Sequence, residues 1–484
     1  MKKISFSILL IVIFSTNSLL AQLGVGTITP DSTSMLDVTS TSKGLLAPRM
    51  TSIQKNAIAS PANGLLVYDT DLGRFNYFNG TSWITIEANS GRDNYVIVKS
   101  LADLPLPVAN VITLTSGILY EINGSINLGN NSIDLNGCSL IGGDPNNDHL
   151  IYTGSDALFS GSNGGLVQFL SLQGNTGATK LFNLNDTSLT KNLIIRDCFI
   201  SNFSSVGTIA GFGFTFLRTL SYFNNSNGLI FSGATQVYLY DMIWNGTNNG
   251  TGVAFTGNFN IISMTGGNLM IDAGEIGVDV SSNPTINSSA SIRGVVLTGS
   301  GTKISGYSPD IYTGYNFSNE WDVNTPGLQV ETDNNATGDI NLNSPVGSGF
   351  TTTFTGTGSS SRKKLTGTST SNNLFRFTSS GDNRIVYDGI RSKNFIISTS
   401  ISFQGDSNNA IFIFYIAKGN NGDTSATVVE ETRVYREVGS SNDVGAVSIV
   451  GSVELSQGDF IEVWAERFSG TGNLLTVSLN LVAY

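Results

Sequence analysis

Residues 228–282 read GLIFSGATQVYLYDMIWNGTNNGTGVAFTGNFNIISMTGGNLMIDAGEIGVDVSS. Three blocks, Gly228–Gly233, Gly252–Gly257 and Gly277–Ser282, begin 24 and 25 residues apart, with weaker copies starting near Ala157, Lys180 and Gly207. About halfway through each unit a second apolar run appears: Leu166–Leu172, Asn192–Cys198, Gln236–Met242, Asn260–Met264 and Ala290–Val296. Two or three short strands per unit, each bounded by Gly or Asn, predict a parallel β-solenoid over residues 95–305. Each coil exposes backbone edges until the next stacks on it, so every turn must supply small residues at corners and apolar ones inside.

The recurring Asn175, Asn202, Asn224, Asn245 and Asn268 fit either a stacked ladder or solvated turns. Cys138 and Cys198 lie in strand-like runs and read as small core residues or as a disulfide. The repeat sets them about two and a half coils apart, or about 12 Å at ~4.8 Å per coil. A disulfide spans at most about 7 Å between Cα atoms.

Composition agrees with an all-β chain. Of 484 residues 13% are charged and 55 are glycine, while 40% are hydrophobic, so the chain lacks long helical faces yet can bury a core. Its net charge of −11 repels phosphate backbones and argues against nucleic acid as a partner. A single histidine, His149, and two cysteines leave almost nothing for zinc sites or histidine-based triads. His149 itself reads as a loop residue.

Met1-Lys2-Lys3, the apolar run Ile4–Phe14 and the approach Ser15–Ala21 have the order of a secretory signal peptide over residues 1–21, cut between Ala21 and Gln22. The apolar run is shorter than the ~20 residues of a membrane span. The expectation is an exported protein, secreted or at the cell surface, with no membrane span.

Residues 23–90 form a separate small module, with a short helix expected over Thr51–Ala59 and strands in Gly64–Thr70 and Phe75–Ile84. A lone hairpin is marginal in water, so this unit should pack on a neighbour or on copies of itself. The succession TPDSTSMLDVTSTSKGLLAPRMTSIQKNAI with GLLVYDTDLGRFNYFNGTSWI after it resembles the N-terminal module of exported Bacteroidetes surface proteins and of phage tail fibres of that group. The resemblance implies attachment or presentation and carries no catalytic residue. By repeat length and strand rhythm the middle region resembles the right-handed β-helix of pectate-lyase-like proteins and phage tailspikes.

Residues 306–365 turn to Gly, Ser, Thr and Asn and read as a connector that holds some strands, with Gly356–Lys364 its most loop-like piece and Trp321 a packing anchor. Residues 366–484 alternate through about eight strands, the pattern of a jelly-roll sandwich. In the strand around Phe460–Glu466, Phe460, Glu462, Trp464 and Glu466 share one face and Ile461, Val463 and Ala465 the other. Aromatic rings beside charge suit a subunit interface or a glycan contact. The stretch from Ser456 through Trp464 to Tyr484 resembles the end of the jelly rolls of tumour-necrosis-factor and complement-globular type and of phage fibre heads, which implies a homotrimer.

Two functional readings fit this chain. One is a trimeric adhesin or fibre-like protein presenting its C-terminal head to a glycan or another cell-surface ligand. The other is a β-helix polysaccharide lyase or glycoside hydrolase working through solenoid carboxylates, with Asp197 and Asp241 at similar places in their coils and Asp272, Glu275 and Asp279 as a local acidic cluster. Arg196, Lys180 and Arg293 are the bases or clamps of that reading. No cofactor is expected, although Asp423, Asp443 and Asp459 offer turn oxygens to Ca²⁺ without the spacing of a calcium loop. The scarcity of catalytic residue types favours binding over catalysis.

Overall fold

A computed structural model describes residues 22–86, 92–175, 179–441 and 443–484. The proposed signal peptide, residues 1–21, lies outside them. The chain divides into two compact units, 1–93 and 94–484.

In the first unit Ser52–Asn56 is a single helical turn capped by Thr51, whose side chain and that of Gln54 close a reciprocal capping box. Beside it runs a four-stranded sheet, Arg49–Met50, Leu66–Asp69, Arg74–Phe78 and Trp83–Thr85. Its first pairing is parallel and the rest antiparallel. A short parallel pair, Leu23–Val25 with Leu36–Val38, precedes them.

The second unit begins with the solenoid. One column of its sheet runs Tyr95, Leu119, Ser139, Leu166, Ile194, Phe216, Tyr238, Ser263, Ser291 and Asp322, every step parallel. That is about nine turns. The repeat read from the sequence is the physical one, since Leu229 pairs with Val253 and Val253 with Val278, in step with Gly228, Gly252 and Gly277. A Cβ on Gly228 would sit 1.9 Å from the carbonyl oxygen of Gly252, so this corner admits no side chain. Inward residues form one continuous core from Val98 to Val323.

The asparagine column is real but displaced from the expected one. Asn202 and Asn224 are left-handed corner residues, and Asn268 lies inside the strand Thr251–Met270. The buried ladder is made instead by Asn225 and Asn248. Asn225 Nδ2 donates to Asn248 Oδ1 at 2.9 Å and to the Ile200 carbonyl at 3.1 Å, and Asn248 Nδ2 donates to the carbonyls of Tyr222 and Asn245. These side chains satisfy turn groups alongside the backbone bonds from Ser226 to Phe203 and from Asn249 to Asn225.

Cys138 and Cys198 are buried and unlinked, and burial pushes the Cys198 thiol up to about 12. The core reading holds and the disulfide alternative does not. His149 is the first residue of the strand His149–Tyr152 rather than a loop residue, its ring Nε2 3.0 Å from the Asn146 carbonyl.

Strands inside 306–365 belong to the two flanking architectures. Trp321–Asn324 is the last solenoid strand, pairing with Thr285–Arg293. Gly338–Asn343 and Phe350–Thr352 pair with Leu474–Ala483, and Lys363–Lys364 with Phe460–Ser469. Trp321 is buried against Phe317, ring centroids 4.8 Å apart, and its indole N–H donates to the Tyr307 hydroxyl. The head is a sandwich of two antiparallel sheets, one built on Gly338–Asn343, Leu474–Ala483, Lys393–Gly405 and Val444–Leu455, the other on Arg384–Tyr387, Phe460–Ser469 and Ala410–Gly419. Ile461, Val463 and Ala465 lie in the core between them.

Candidate functional surfaces

The first unit is organised around a buried charge. Lys55 Nζ lies 2.7 Å from Asp69 Oδ2 and donates to Asn76 Oδ1 at 3.3 Å, with all three residues nearly sealed from solvent. Asp69 also accepts from the Ser52 hydroxyl and from the backbone N–H of Asp71 and Leu72, which fixes the turn leading into the next strand. Val67 is buried with this polar centre, whereas Leu45, Leu46 and Ile53 face outward, 69%, 72% and 80% exposed. Large apolar side chains left open on so small a unit mark a candidate interaction surface.

The Lys55 ammonium and those donors hold the Asp69 carboxyl down to about 2. A depressed acid contributes stability that is complete above its unfolded value, ~3.9, and is lost as pH falls through the folded one. The first unit is therefore expected to keep its structure down to about pH 4 and to lose stability between about pH 4 and 2. Thermal melts followed by circular dichroism across that range check it, with Asp69→Asn removing the pH-dependent part.

In the head, Phe460, Glu462, Trp464 and Glu466 do share the outer face of their sheet, but the structure spends them on their own chain. Glu462 Oε1 meets Arg384 Nη2 at 2.6 Å and Lys364 Nζ at 3.1 Å, while its Oε2 accepts the Trp464 indole N–H at 2.8 Å. Arg384 stacks 3.8 Å over the Phe460 ring. Glu466 Oε2 accepts from Arg362 Nε at 2.7 Å and from the Tyr415 hydroxyl at 2.8 Å, and Arg362 forks onto Glu430. Burial and then Glu466 push the Tyr415 phenol up to about 12. Arg362, Lys364 and Arg384 are the partners that sequence reasoning missed. The run Arg362-Lys363-Lys364 reads as loop in the sequence because its buried counter-charges, Glu462 and Glu466, lie about a hundred residues away in the chain.

The solenoid carboxylates do not converge. Asp197, Thr219 and Asp241 occupy one left-handed corner on successive coils, so the two acids stand two steps apart, about 10 Å along the stack. A retaining pair needs about 5 Å and an inverting pair about 6.5–9.5 Å, both shorter than this. Glu275 accepts the Asp272 N–H at 2.9 Å, and Asp279 accepts the Ser281 N–H, so both serve their own turns. Arg293 is paired with Asp322 at 2.6 Å. The turn acids of the head are likewise occupied: Asp423 caps Asn420, Asp443 caps Ser440, and Asp459 takes Lys418 at 2.8 Å besides the N–H groups of Ser456 and Asn421. Burial opposes ionisation of Asp459, and those donors outweigh it and hold its carboxyl low. Among the described residues no three His, Cys, Asp or Glu side chains come together as a metal site.

Residues 24–96 match the family model of the phage tail like trimerisation region. The trimerisation-like region thus covers the unit whose leucines face outward. No curated protein matches the chain closely enough to be a relative. Among solved structures the chain is similar to murine APRIL at pH 5.0, at 13% identity over 31% of this chain and 99% of that one, with a TM-score of 0.21. It is also similar to Eiger TNF from S. frugiperda, at 8% identity over 31% of this chain and 90% of that one, with a TM-score of 0.20. At those scores the jelly roll rests on its own strand pairings. A trimerisation-like region and a β-solenoid in one chain fit a fibre-like trimeric protein. Among the described residues no helix is long and apolar enough to cross a membrane.

Proposed function

We propose that the protein is an exported, homotrimeric, fibre-like binding protein whose ligand is a glycan at a cell surface. The observation that carries the reading is the match of residues 24–96 to a trimerisation region, in a unit that leaves Leu45, Leu46 and Ile53 uncovered. Export rests on the order of residues 1–21. Three copies joined through one region multiply weak contacts by avidity, which suits glycan recognition without a catalytic residue.

The head supports the same reading. The outer face of the sheet Gly338–Asn343, Leu474–Ala483, Lys393–Gly405 and Val444–Leu455 carries Ser398, Ser400, Ser448, Asn480, Val450 and Ile396, with charge only at Asp339 and Glu454. On so acidic a chain a face with only two charges is one that copies can bring together with little mutual repulsion.

The β-helix lyase or hydrolase remains the competing chemistry, and one incubation separates the two. With neutral and acidic polysaccharides the protein is expected to bind and to release neither reducing nor unsaturated ends. Steady release of such ends, lost in Asp197→Asn or Asp241→Asn, would establish catalysis instead.

A further inference from the structure

The buried centre of the first unit brings an amine, a carboxylate and a carboxamide into contact. Lys55 comes from the helical turn Ser52–Asn56, Asp69 ends the strand Leu66–Asp69, and Asn76 sits in the strand Arg74–Phe78. They are 5%, 0% and 1% exposed. Lys55 Nζ lies 2.7 Å from Asp69 Oδ2 and 3.3 Å from Asn76 Oδ1. The Asn76 carbonyl carbon is therefore one C=O bond, about 1.2 Å, from an atom the amine already touches. A buried ion pair by itself is structural. This one has a carboxamide as its third member, and a carboxamide is an acyl group that a deprotonated amine can attack.

The surroundings suit that reaction at each atom. Asn76 Nδ2 donates to the Arg74 carbonyl at 3.2 Å, which fixes the amide with Oδ1 toward Lys55. The Thr85 hydroxyl donates to the same Oδ1 at 3.1 Å, where negative charge develops once the carbonyl is attacked. Asp69 Oδ2 is within reach of the proton that Nζ must lose, and the Ser52 hydroxyl and the N–H groups of Asp71 and Leu72 hold the carboxylate there. Val67, the register partner of Asn76, is buried, and the half-buried Trp83 ring has its centroid 5.9 Å from Nζ. In so dry a site a neutral amine beside a neutral acid costs less than in water, and the reactants need no diffusional encounter.

We infer that Lys55 and Asn76 join in an intrachain amide bond, with Asp69 as the proton carrier. Asp69 takes a proton from the Lys55 ammonium, and the freed lone pair attacks Asn76 Cγ. Asp69 then hands that proton to Nδ2, which leaves as ammonia, and takes the second proton from the new amide nitrogen. Released to the ammonia, that proton completes the balance: one N–C bond forms, one breaks and an ammonium ion departs. No oxidant, metal or cofactor takes part. The Lys55 ammonium and the other donors hold the Asp69 carboxyl low, so the first transfer is uphill and the bond closes more slowly than the unit folds. The acid sensitivity argued above belongs to the ion-paired form, and closure removes it together with the ammonium. The bond ties the helical turn to the strand and restricts the unfolded chain as a disulfide does, which matters most in a unit with so small a core.

The inference depends neither on a trimer nor on a glycan. Full-length protein is held at neutral pH until its mass is constant, then denatured and digested with trypsin. Closed chains are expected to give one branched peptide, residues 50–74 joined to residues 75–92, lighter by one ammonia, about 17 Da, than the two together. Cyclisation of Gln22 at a new N-terminus also releases ammonia, so the branched peptide decides and the intact mass does not. Asp69→Asn should leave residues 50–55 and 75–92 as separate peptides. Asn76→Ala should do the same while keeping the ion pair and its loss of stability between about pH 4 and 2, which the closed wild type lacks. Wild-type protein that yields only the separate peptides overturns the bond, whether or not either variant folds. A branched peptide that still forms in Asp69→Asn overturns the role of Asp69.

Discussion

Arg376→Ala is expected to destabilise the second unit by about 3–5 kcal/mol, the cost of deleting one partner from a buried charged network. Arg376 is fully buried at the seam between solenoid and head. Its guanidinium donates to the Ser318 carbonyl at 2.8 Å, to the Trp321 carbonyl at 2.5 Å and to the Glu331 carbonyl at 3.4 Å, and its Nε lies 3.4 Å from Asp333 Oδ1. It also stacks 4.9 Å over Phe375. Trp321 belongs to the last solenoid strand and Phe375 to the head, so one side chain ties the two cores together. Without it the Trp321 carbonyl loses its charged donor in a dry seam, and the carbonyls of Ser318 and Glu331 and the Asp333 carboxylate keep only the backbone N–H groups of Trp321, Val323 and Arg391. Calorimetry of the variant should show one transition of the second unit splitting into two, the head and the solenoid melting apart. An unchanged single transition would mean that the seam is held by apolar packing alone.

Asn248→Ala is expected to cost about 2–4 kcal/mol, several buried groups being orphaned at ~1–3 kcal/mol each with partial relaxation. Asn248 Oδ1 accepts both the backbone N–H and the side-chain N–H of Asn225, and its Nδ2 satisfies the carbonyls of Tyr222 and Asn245. Asn225 in turn accepts the Phe203 N–H, so a single deletion disturbs three consecutive coils. Asn224→Gly, one residue away in a left-handed exposed corner, is the matched control and should change stability by only a few tenths of a kcal/mol, roughly the backbone entropy of one residue. Urea unfolding of both variants gives the comparison. Equal losses would mean that the buried ladder contributes no more than the corner beside it.

The parts of the fold legible in the chain are those where the physics repeats. The solenoid was legible because every coil meets the same constraint, most tightly at Gly228, where a side chain would strike the next coil. The alternation of Ile461, Val463 and Ala465 against Phe460, Glu462 and Trp464 was legible because a strand's two faces obey a period of two. The buried ladder was not, because asparagine is frequent at solvated corners as well, and only the three-dimensional turn distinguishes Asn225 and Asn248 from Asn202 and Asn224. The strands within 306–365 were hidden for a similar reason. Gly338–Asn343 and Phe350–Thr352 are short and polar on one face, and their partner Leu474–Ala483 lies at the far end of the chain.

The functional surfaces split the same way. The head strand was found from sequence, but its carboxylates belong to an internal network with Arg362, Lys364 and Arg384. The outward rings Phe214, Phe216, Tyr238 and Tyr240 lay in plain sight, as FTFLR at 214–218 and QVYLY at 236–240, spaced 22 residues apart. Their strands were recognised by their buried alternate residues, which drew attention from the outward ones. In register Phe216 pairs with Tyr238, while the ring contacts between the two coils run from Phe214 to Tyr238 and from Phe216 to Tyr240.

The measurement that tests the account most directly is the mass of the full-length protein in dilute solution, by mass photometry or sedimentation. Three chains held by the region around Lys55 and Asp69 predict a species of about three times the 51.3 kDa chain, persisting at nanomolar to micromolar concentration. A single species at the mass of one chain at micromolar concentration would contradict it.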